Sequence, residues 1–237
     1  MEERENEMKQ KKTGISAEKQ EQWILQGKYV ILAVLVGICV GIVDTIFGRG
    51  LLAISDFREQ YYRYLLPILP VAGLAIVWMY QRFSSLSLKG MTLVFEVGQK
   101  KREEIPVALV PLVMIGTWIT HLFGGSAGRE GAALQLGGSV GSVLGRVFRL
   151  AERDKQVLML CGMSAAFSAI FRTPIAAPVF AMEVVCVGAM RYAALVPSTI
   201  ASLTASWLAG KCGIPLAKYA IGEIPAFQVV PALKILL

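Results

Sequence analysis

Residues 124–138 read GGSAGREGAALQLGG. Arg129 and Glu130 stand side by side, with glycine close on both sides. The flanks are apolar: IPVALVPLVMIGTWITHLF precedes the stretch (105–123), and SVGSVLG (139–145) and VLMLCGMSAAFSAIF (157–171) follow it. The adjacent charges read as an ion pair set in surroundings that repel charge. Explaining that pair decides the fold.

The chain has 237 residues, 55% hydrophobic and 17% charged, with a mean hydropathy of +0.57. Soluble domains carry about 25% charged residues. A soluble protein this apolar would expose large sticky patches, so the composition reads as that of a membrane protein. Residues 1–28 hold six acidic and six basic side chains and read as a solvated, cytoplasmic tail. They are too long and too acidic for a signal peptide. The rest of the chain carries the whole net charge of +7. Its basic residues sit in short loops between apolar runs, which argues for positive-inside topology and against nucleic acid as a partner.

The apolar runs are 29–47, 65–80, 105–123, 155–171, 174–190 and 193–210. At about 1.5 Å per residue the first nearly crosses a hydrocarbon core of about 30 Å. Gly37 and Gly41 within it make a small-xxx-small face for another helix. Residues 48–63 read as a loop or interfacial segment with three basic residues, and 81–104 as a cytoplasmic loop with five. Pro67 and Pro70 break the start of the second run. Short apolar segments interrupted by Gly and Pro mark transporters built from broken helices. Cys39, Cys161, Cys186 and Cys212 form no CxxC and no Cys/His set, so no metal site or disulfide framework is expected, and no cofactor.

Three chemistries compete for the glycine-rich stretch. Gly124-Gly125-Ser126-Ala127-Gly128 satisfies the G-x-S-x-G nucleophile pattern. That pattern needs a preceding strand and a later histidine, whereas the only histidine, His121, comes before it. No enzymatic activity is therefore expected. Packing explains Gly137, Gly141 and Gly145, which recur every four residues and bare one helix face. It does not explain Arg129 and Glu130, because a charge at the bilayer centre costs roughly 2.5–3.5 kcal/mol even on the lenient insertion scale. An anion site does explain them. A glycine-rich turn opening a helix over 131–148 exposes unpaired N–H groups at the positive end of the helix dipole. Glu130, in the first turn, can occupy the anion's place and leave it on protonation, serving as gate and proton carrier.

These residues resemble the CLC family of chloride channels and anion/proton exchangers. Gly128-Arg129-Glu130-Gly131 matches the family's G-R-E-G-P, with Ala132 replacing the proline. In the family this glutamate is the external gate. Ala165-Ala166-Phe167 and then Phe171-Arg172-Thr173-Pro174-Ile175-Ala176-Ala177-Pro178 resemble the segment ending F-N-A-P-L-A-G. The similarity runs from about residue 29 onward. The resemblance implies an all-α polytopic membrane protein with broken and re-entrant helices, a tail at 1–28 and a transmembrane domain at 29–237. It implies anion contacts at Gly128, Arg129, Gly131 and Met91, transport of a halide and a proton across the lipid bilayer, a homodimer, and a plasma-membrane location with the N-terminus cytoplasmic.

Two departures from the family pattern point to fluoride. Chloride-handling members carry G-S-G-I-P at the start of an earlier half-helix. Here the matching stretch is Lys89-Gly90-Met91-Thr92-Leu93, so Met91 takes the serine's place, as in the fluoride/proton-antiporting branch. The paired internal glutamate of many chloride exchangers is also missing, because Val184 follows Glu183. Chloride transport is the alternative within the family. The family's fold is an inverted repeat, and only its first half is matched; KCGIPLAKYAIGEIPAFQVVPALKILL (211–237) cannot supply a second. The chain reads as a fragment or a truncated product, expected to lack a complete pathway alone. A non-transporting membrane subunit is the alternative of another class.

Overall fold

The computed structural model describes residues 2–101, 104–186, 188 and 190–214, with side chains from residue 27 onward. Arg102, most of the 1–28 tail's side chains and the segment after Ile214 lie outside the described residues. Eight α-helices and no strand occur among those described: α1 (Glu2–Leu65), α2 (Leu69–Ser84), α3 (Met91–Gly98), α4 (Leu109–Leu122), α5 (Arg129–Val147), α6 (Glu152–Phe171), α7 (Ala176–Val185) and α8 (Leu195–Lys211). The segments Gly27–Lys89 and Tyr192–Lys211 are long and apolar enough to cross a membrane. Helices α4 and α7 are shorter apolar helices.

The organising element is α6. It is buried on nearly all sides from Gln156 to Ala169, and α1, α5, α7 and α8 all pack against it. A helix apolar all round belongs at the centre of a bundle. Its closest neighbour is α5, which approaches backbone to backbone. A Cβ on Gly137 would fall against the carbonyl oxygen of Gly162, and one on Gly141 against that of Leu158. The four-residue glycine spacing thus fulfils its packing role, with Gly162 as a partner that spacing alone does not reveal. Gly37 and Gly41 do the same for α1 and α8: a Cβ on Gly37 would lie 2.6 Å from the Ala201 carbonyl oxygen.

Two segments differ from expectation. Residues 81–104 are not a simple loop: α2 runs to Ser84, a 3₁₀ turn (Ser85–Lys89) follows, and α3 buries Leu93, Val94 and Val97. Residues 48–63 are not a loop; α1 continues through them to Leu65, with a kink at Tyr61 (φ −120°, ψ 15°). No proline interrupts the stretch, and Gly48 and Gly50 are sites of close packing. Gly50 lets the Trp118 indole approach, and the indole Nε1 donates to the Phe47 carbonyl oxygen at 3.1 Å. Pro67 then ends the helix, and a short 3₁₀ turn (Leu66–Ile68) leads into α2. Prolines at such entries give up an N–H that has no helical partner.

The ends of the helices carry the polar ties. Lys28 Nζ and Tyr29 Oη both donate to the Asp154 carboxylate, at 3.1 and 2.5 Å. Arg146 donates to the Glu104 carboxylate and to the Ile105 carbonyl oxygen. These ties join the described start of α1, the end of α5 and the start of α6 at one end of the bundle.

Gly137→Ala is expected to lower stability by roughly 1–3 kcal/mol, the cost of overpacking a close-packed contact. Thermal unfolding of the purified protein in detergent measures it. An unchanged midpoint would mean that the α5–α6 backbone contact is absent.

Candidate functional site

The start of α5 is built by the loop before it. Gly124 turns the chain at φ +80°, and the Gly125 N–H donates to the Thr120 carbonyl oxygen at 2.8 Å. His121 Nε2 donates to the Ala127 carbonyl oxygen at 3.0 Å, so the proton resides on Nε2. Arg58 reaches the His121 carbonyl oxygen at 3.5 Å. His121 is therefore a buckle across the α4–α5 loop. Sequence reasoning weighed it only as a catalytic partner.

Gly128 is the extended N-cap of α5 (φ −70°, ψ 138°), and no side chain caps the helix. The N–H groups of its first turn, from Arg129 to Gly131, accordingly have no intrahelical acceptor. Glu130 turns back over this start: a Cβ on Gly128 would lie 3.0 Å from its Oε2. A Cβ on Gly131 would meet open space. Arg129 and Glu130 are both exposed. They do not form the ion pair that their adjacency suggests, and neither has a hydrogen-bond or ion-pair partner among the described residues. Successive helical residues point about 100° apart, which separates the two heads.

Met91 opens α3, a helix of eight residues. It is half-buried and packs on the apolar core. Gly90 before it stands at φ 53°, ψ −126°, a conformation for glycine alone, and no side chain caps this helix either. The residues just before α3 and α5, Gly90 and Ala127, line one cavity of about 300 Å³ together with Gln135 from within α5. Tyr80, Thr117 and Thr120 supply hydroxyls to its wall. Gln135 stands between the two starts. Its Nε2 donates to the Gly131 carbonyl oxygen at 3.2 Å, and its Oε1 lies 3.6 Å from where a Gly90 Cβ would be. Met91, Arg129 and Glu130 border the same region without lining the cavity. Gln135, Tyr80 and the two threonines escaped the sequence reading. Gln135 was detectable as an amide inside an otherwise small and apolar run.

The second motif has a structural task. Arg172 caps α6 in a left-handed conformation (φ 57°). Its guanidinium donates to the Ser206 carbonyl oxygen and lies in the space a Gly210 side chain would need. A cation at the C-terminal turn of α8 meets the negative end of that helix. Glu183 Oε1 accepts from the Gly188 N–H at 3.1 Å and so closes the turn after α7.

The arrangement suits an anion: two uncapped helix starts nearby, no carboxylate lining the cavity, and the Tyr80 and Thr117 hydroxyls on its wall, while Thr120 and Gln135 already donate to backbone carbonyls. Comparison with known proteins agrees. The family "Voltage gated chloride channel" matches residues 72–236, more than half of the chain. A "Chloride/fluoride channel protein" of Pseudomonas syringae pv. tomato is 36% identical over 202 residues, covering 85% of this chain and 44% of that protein. An "H(+)/Cl(-) exchange transporter ClcA" of Yersinia pestis is 31% identical, covering 65% and 35%. The crystal structure of a CLC-type fluoride/proton antiporter superposes with a TM-score of 0.79 at 40% identity, over 89% of this chain and 53% of that one. A slow cyanobacterial Cl−/H+ antiporter shares the fold, with a TM-score of 0.62 at 20% identity. The chain spans about half the length of the relatives it matches.

Because Arg129 holds no partner, Arg129→Lys is expected to leave stability within about 0.5 kcal/mol of wild type, the usual range for surface changes. The melting midpoint of the variant checks this. A larger loss would show that the planar fork of arginine is required.

Proposed function

We propose that this chain, which belongs to the voltage-gated chloride channel family, supplies one half of a membrane pathway that exports fluoride in exchange for protons. The observation that carries the reading is that two uncapped helix starts flank one cavity, lined by the Gly90 and Ala127 that precede them, with the Glu130 carboxylate turned over one of the starts. Glu130 serves as the gate. As a carboxylate it competes with the halide for the N–H groups between Gly128 and Gly131. Once protonated it loses that attraction, swings away and carries the proton. Arg129 raises the local positive potential, and Met91 narrows the path. This is transport, not catalysis.

Fluoride is the preferred substrate for a chemical reason. It is small, strongly hydrated and a strong hydrogen-bond acceptor, so a site that selects it must replace hydration with close donors. Methionine has no hydroxyl to give chloride, and its flexible thioether adapts to a narrow pore. Backbone N–H groups then carry more of the binding. Two relatives with fluoride in their names, at 36% and 40% identity, support this. Chloride/proton exchange is the second reading, favoured by the exchanger at 31% identity.

The open space at Gly131 and the half-length coverage of the relatives fit a pathway completed by a second repeat. The outward stripe of α7 and α8, with Ile175, Val179, Val196, Leu203 and Trp207 exposed, is the face proposed for a homodimer in the plasma membrane. Basic residues at the Lys28 end of the bundle support a cytoplasmic N-terminus.

Two measurements in proteoliposomes holding the protein with both halves of the fold test the proposal. Glu130→Gln cannot bind the proton, so halide-driven proton uptake is expected to vanish; wild-type coupling in that variant removes Glu130 from the mechanism. Efflux of each halide in turn is expected to favour fluoride by at least ~1.4 kcal/mol, or tenfold. Met91→Ser is expected to narrow that preference by giving chloride room and a donor. Equal wild-type rates would leave the chloride reading, and no flux of either halide the non-transporting one.

A further inference from the structure

Asp44 lies in the middle of α1, and its side chain is completely enclosed (0% exposed). Neither carboxylate oxygen has a hydrogen-bond partner among the described residues. The neighbouring Thr45 hydroxyl is already engaged with the Gly41 carbonyl oxygen at 2.7 Å. The stripe around Asp44 is apolar: Val36, Val40 and Phe47 are all fully buried. An isolated ionised carboxylate in such a place costs so much that it neutralises instead. An ionisable residue kept inside a membrane bundle marks a site.

The other described buried polar atoms without partners are Ser168 Oγ and Thr173 Oγ1. Helix register brings them to the depth of Asp44. Helices α1 and α8 run parallel, since Gly37 faces Ala201 and Gly41 faces Ala205. Helices α6 and α8 also run parallel, since Ser164 bonds the Ser198 carbonyl oxygen and Arg172 that of Ser206. The Tyr29–Asp154 bond fixes the level of α1 against α6. At about 1.5 Å per residue, Asp44 is fifteen residues beyond Tyr29, and Ala169 is fifteen beyond Asp154. Counted through α8, Asp44 stands level with Leu208, one turn beyond the contact at Ala205. That is slightly above the Ser206–Arg172 tie. Ser168 lies one residue before Ala169 at the first of these levels, and Thr173, just past the end of α6, follows Arg172 near the second. Helix α5 runs antiparallel to α6, with Gly137 against Gly162 and Gly141 against Leu158. Glu130, seven residues before Gly137, is therefore level with Ala169 too. Helices α1 and α5 are in contact.

We propose that Asp44 is a second proton-binding residue of the bundle. It stands protonated at neutral pH, and its acid proton is shared through enclosed water with the hydroxyls of Ser168 and Thr173, neither of which bonds Asp44 directly. When Asp44 gives up its proton, the enclosed water accepts it while passing one of its own protons on toward the gate, and the reverse relay reprotonates Asp44, so the water is unchanged after each transfer. A proton fits better than a metal ion as the neutralising partner. One carboxylate and two hydroxyls fall short of the six or more oxygen ligands of a hard cation, and no group of three or more metal-binding side chains occurs among the described residues. The charged and titratable groups at this depth on the surrounding helices are Arg129 and Glu130 of α5, and Arg172 after α6, which is bound to the Ser206 carbonyl oxygen. His121 of α4 and Lys211 of α8 lie further along. None forms an ion pair with Asp44. At the level of Glu130, Asp44 becomes a reservoir from which a proton passes to or from the gate. This role rests on the transport reading; the protonation itself does not.

Infrared difference spectroscopy of the reconstituted protein tests the protonation. At neutral pH the carbonyl stretch of a protonated carboxylic acid is expected. It should be absent in Asp44→Asn, shifted in Ser168→Ala or Thr173→Val, retained in Glu130→Gln and displaced on transfer to heavy water. Absence of the band, indifference to both hydroxyl variants, or its loss on adding sodium would overturn the site. The hydroxyl variants decide the question if Asp44→Asn does not fold. In proteoliposomes Asp44→Asn is expected to lower proton flux at least tenfold more than halide flux. Equal effects on both fluxes would overturn the carrier role. If wild-type vesicles carry no halide, the transport reading fails while the infrared band still decides whether Asp44 holds a proton.

Discussion

The contact of α5 with α6 through bare backbone is the constraint on which the rest depends. Gly137, Gly141 and Gly162 allow an approach that no side chain could share. Lipid gives no hydrophobic drive for helices to associate, so close van der Waals packing between small residues must hold them together. Because the contact is so close, the depth of α5 is fixed against the central helix. Its start is thereby set part-way along the length of the bundle, with Gly128, Arg129 and Glu130 exposed. An uncapped helix start is ordinary in water. At this depth its N–H groups have few partners to choose from.

The same constraint explains why the second helix start matters. Helix α3 has eight residues, too few to cross anything, and it ends in contact with α5 and α7. Its short length brings Gly90 to the cavity that Ala127 and Gln135 line. Two short or late-starting helices thus aim positive ends at one space. Between them Gln135 bridges with an amide, a group that offers both a donor and an acceptor. The loop holding α5 in place is tied by His121 and by Gly124, so its conformation does not depend on Arg129 or Glu130. Those two side chains remain free to respond to ions.

Much of this was legible in the sequence because its signals are local. The expected helix over 131–148 is α5, and the four-residue glycine spacing is its contact face. Pro67 and Pro70 mark the entry to α2, and Gly37 and Gly41 meet a second helix as a small-xxx-small pair must. The family assignment rested on two short ordered motifs and holds. What failed was also local: of the two readings of 48–63, a loop or an interfacial segment, the loop is wrong, because polar and aromatic residues there belong to a continuing, largely exposed helix. What was not legible is non-local. Tyr80, Thr117 and Gln135 come from three helices, and no spacing predicts that they share a cavity. Asp44 is plainly visible in the first apolar run. A single acid on an amphipathic helix can face either way, however, and only the packing of α1 against α6 and α8 turns it inward.

At one depth of the bundle, then, the protein handles charge in three different ways. Arg172 is neutralised by geometry, since its guanidinium ends on a carbonyl at the negative end of α8. Glu130 and Arg129 are left exposed at a helix start, where water or an ion can reach them. Asp44 is sealed away with neither device. A carboxylate that is enclosed, and level with the exposed one, responds to whatever protons the site itself admits. Under the proposed function, an enclosed acid level with an exposed one separates two tasks that a single residue performs poorly together, which are meeting the ion and keeping the proton.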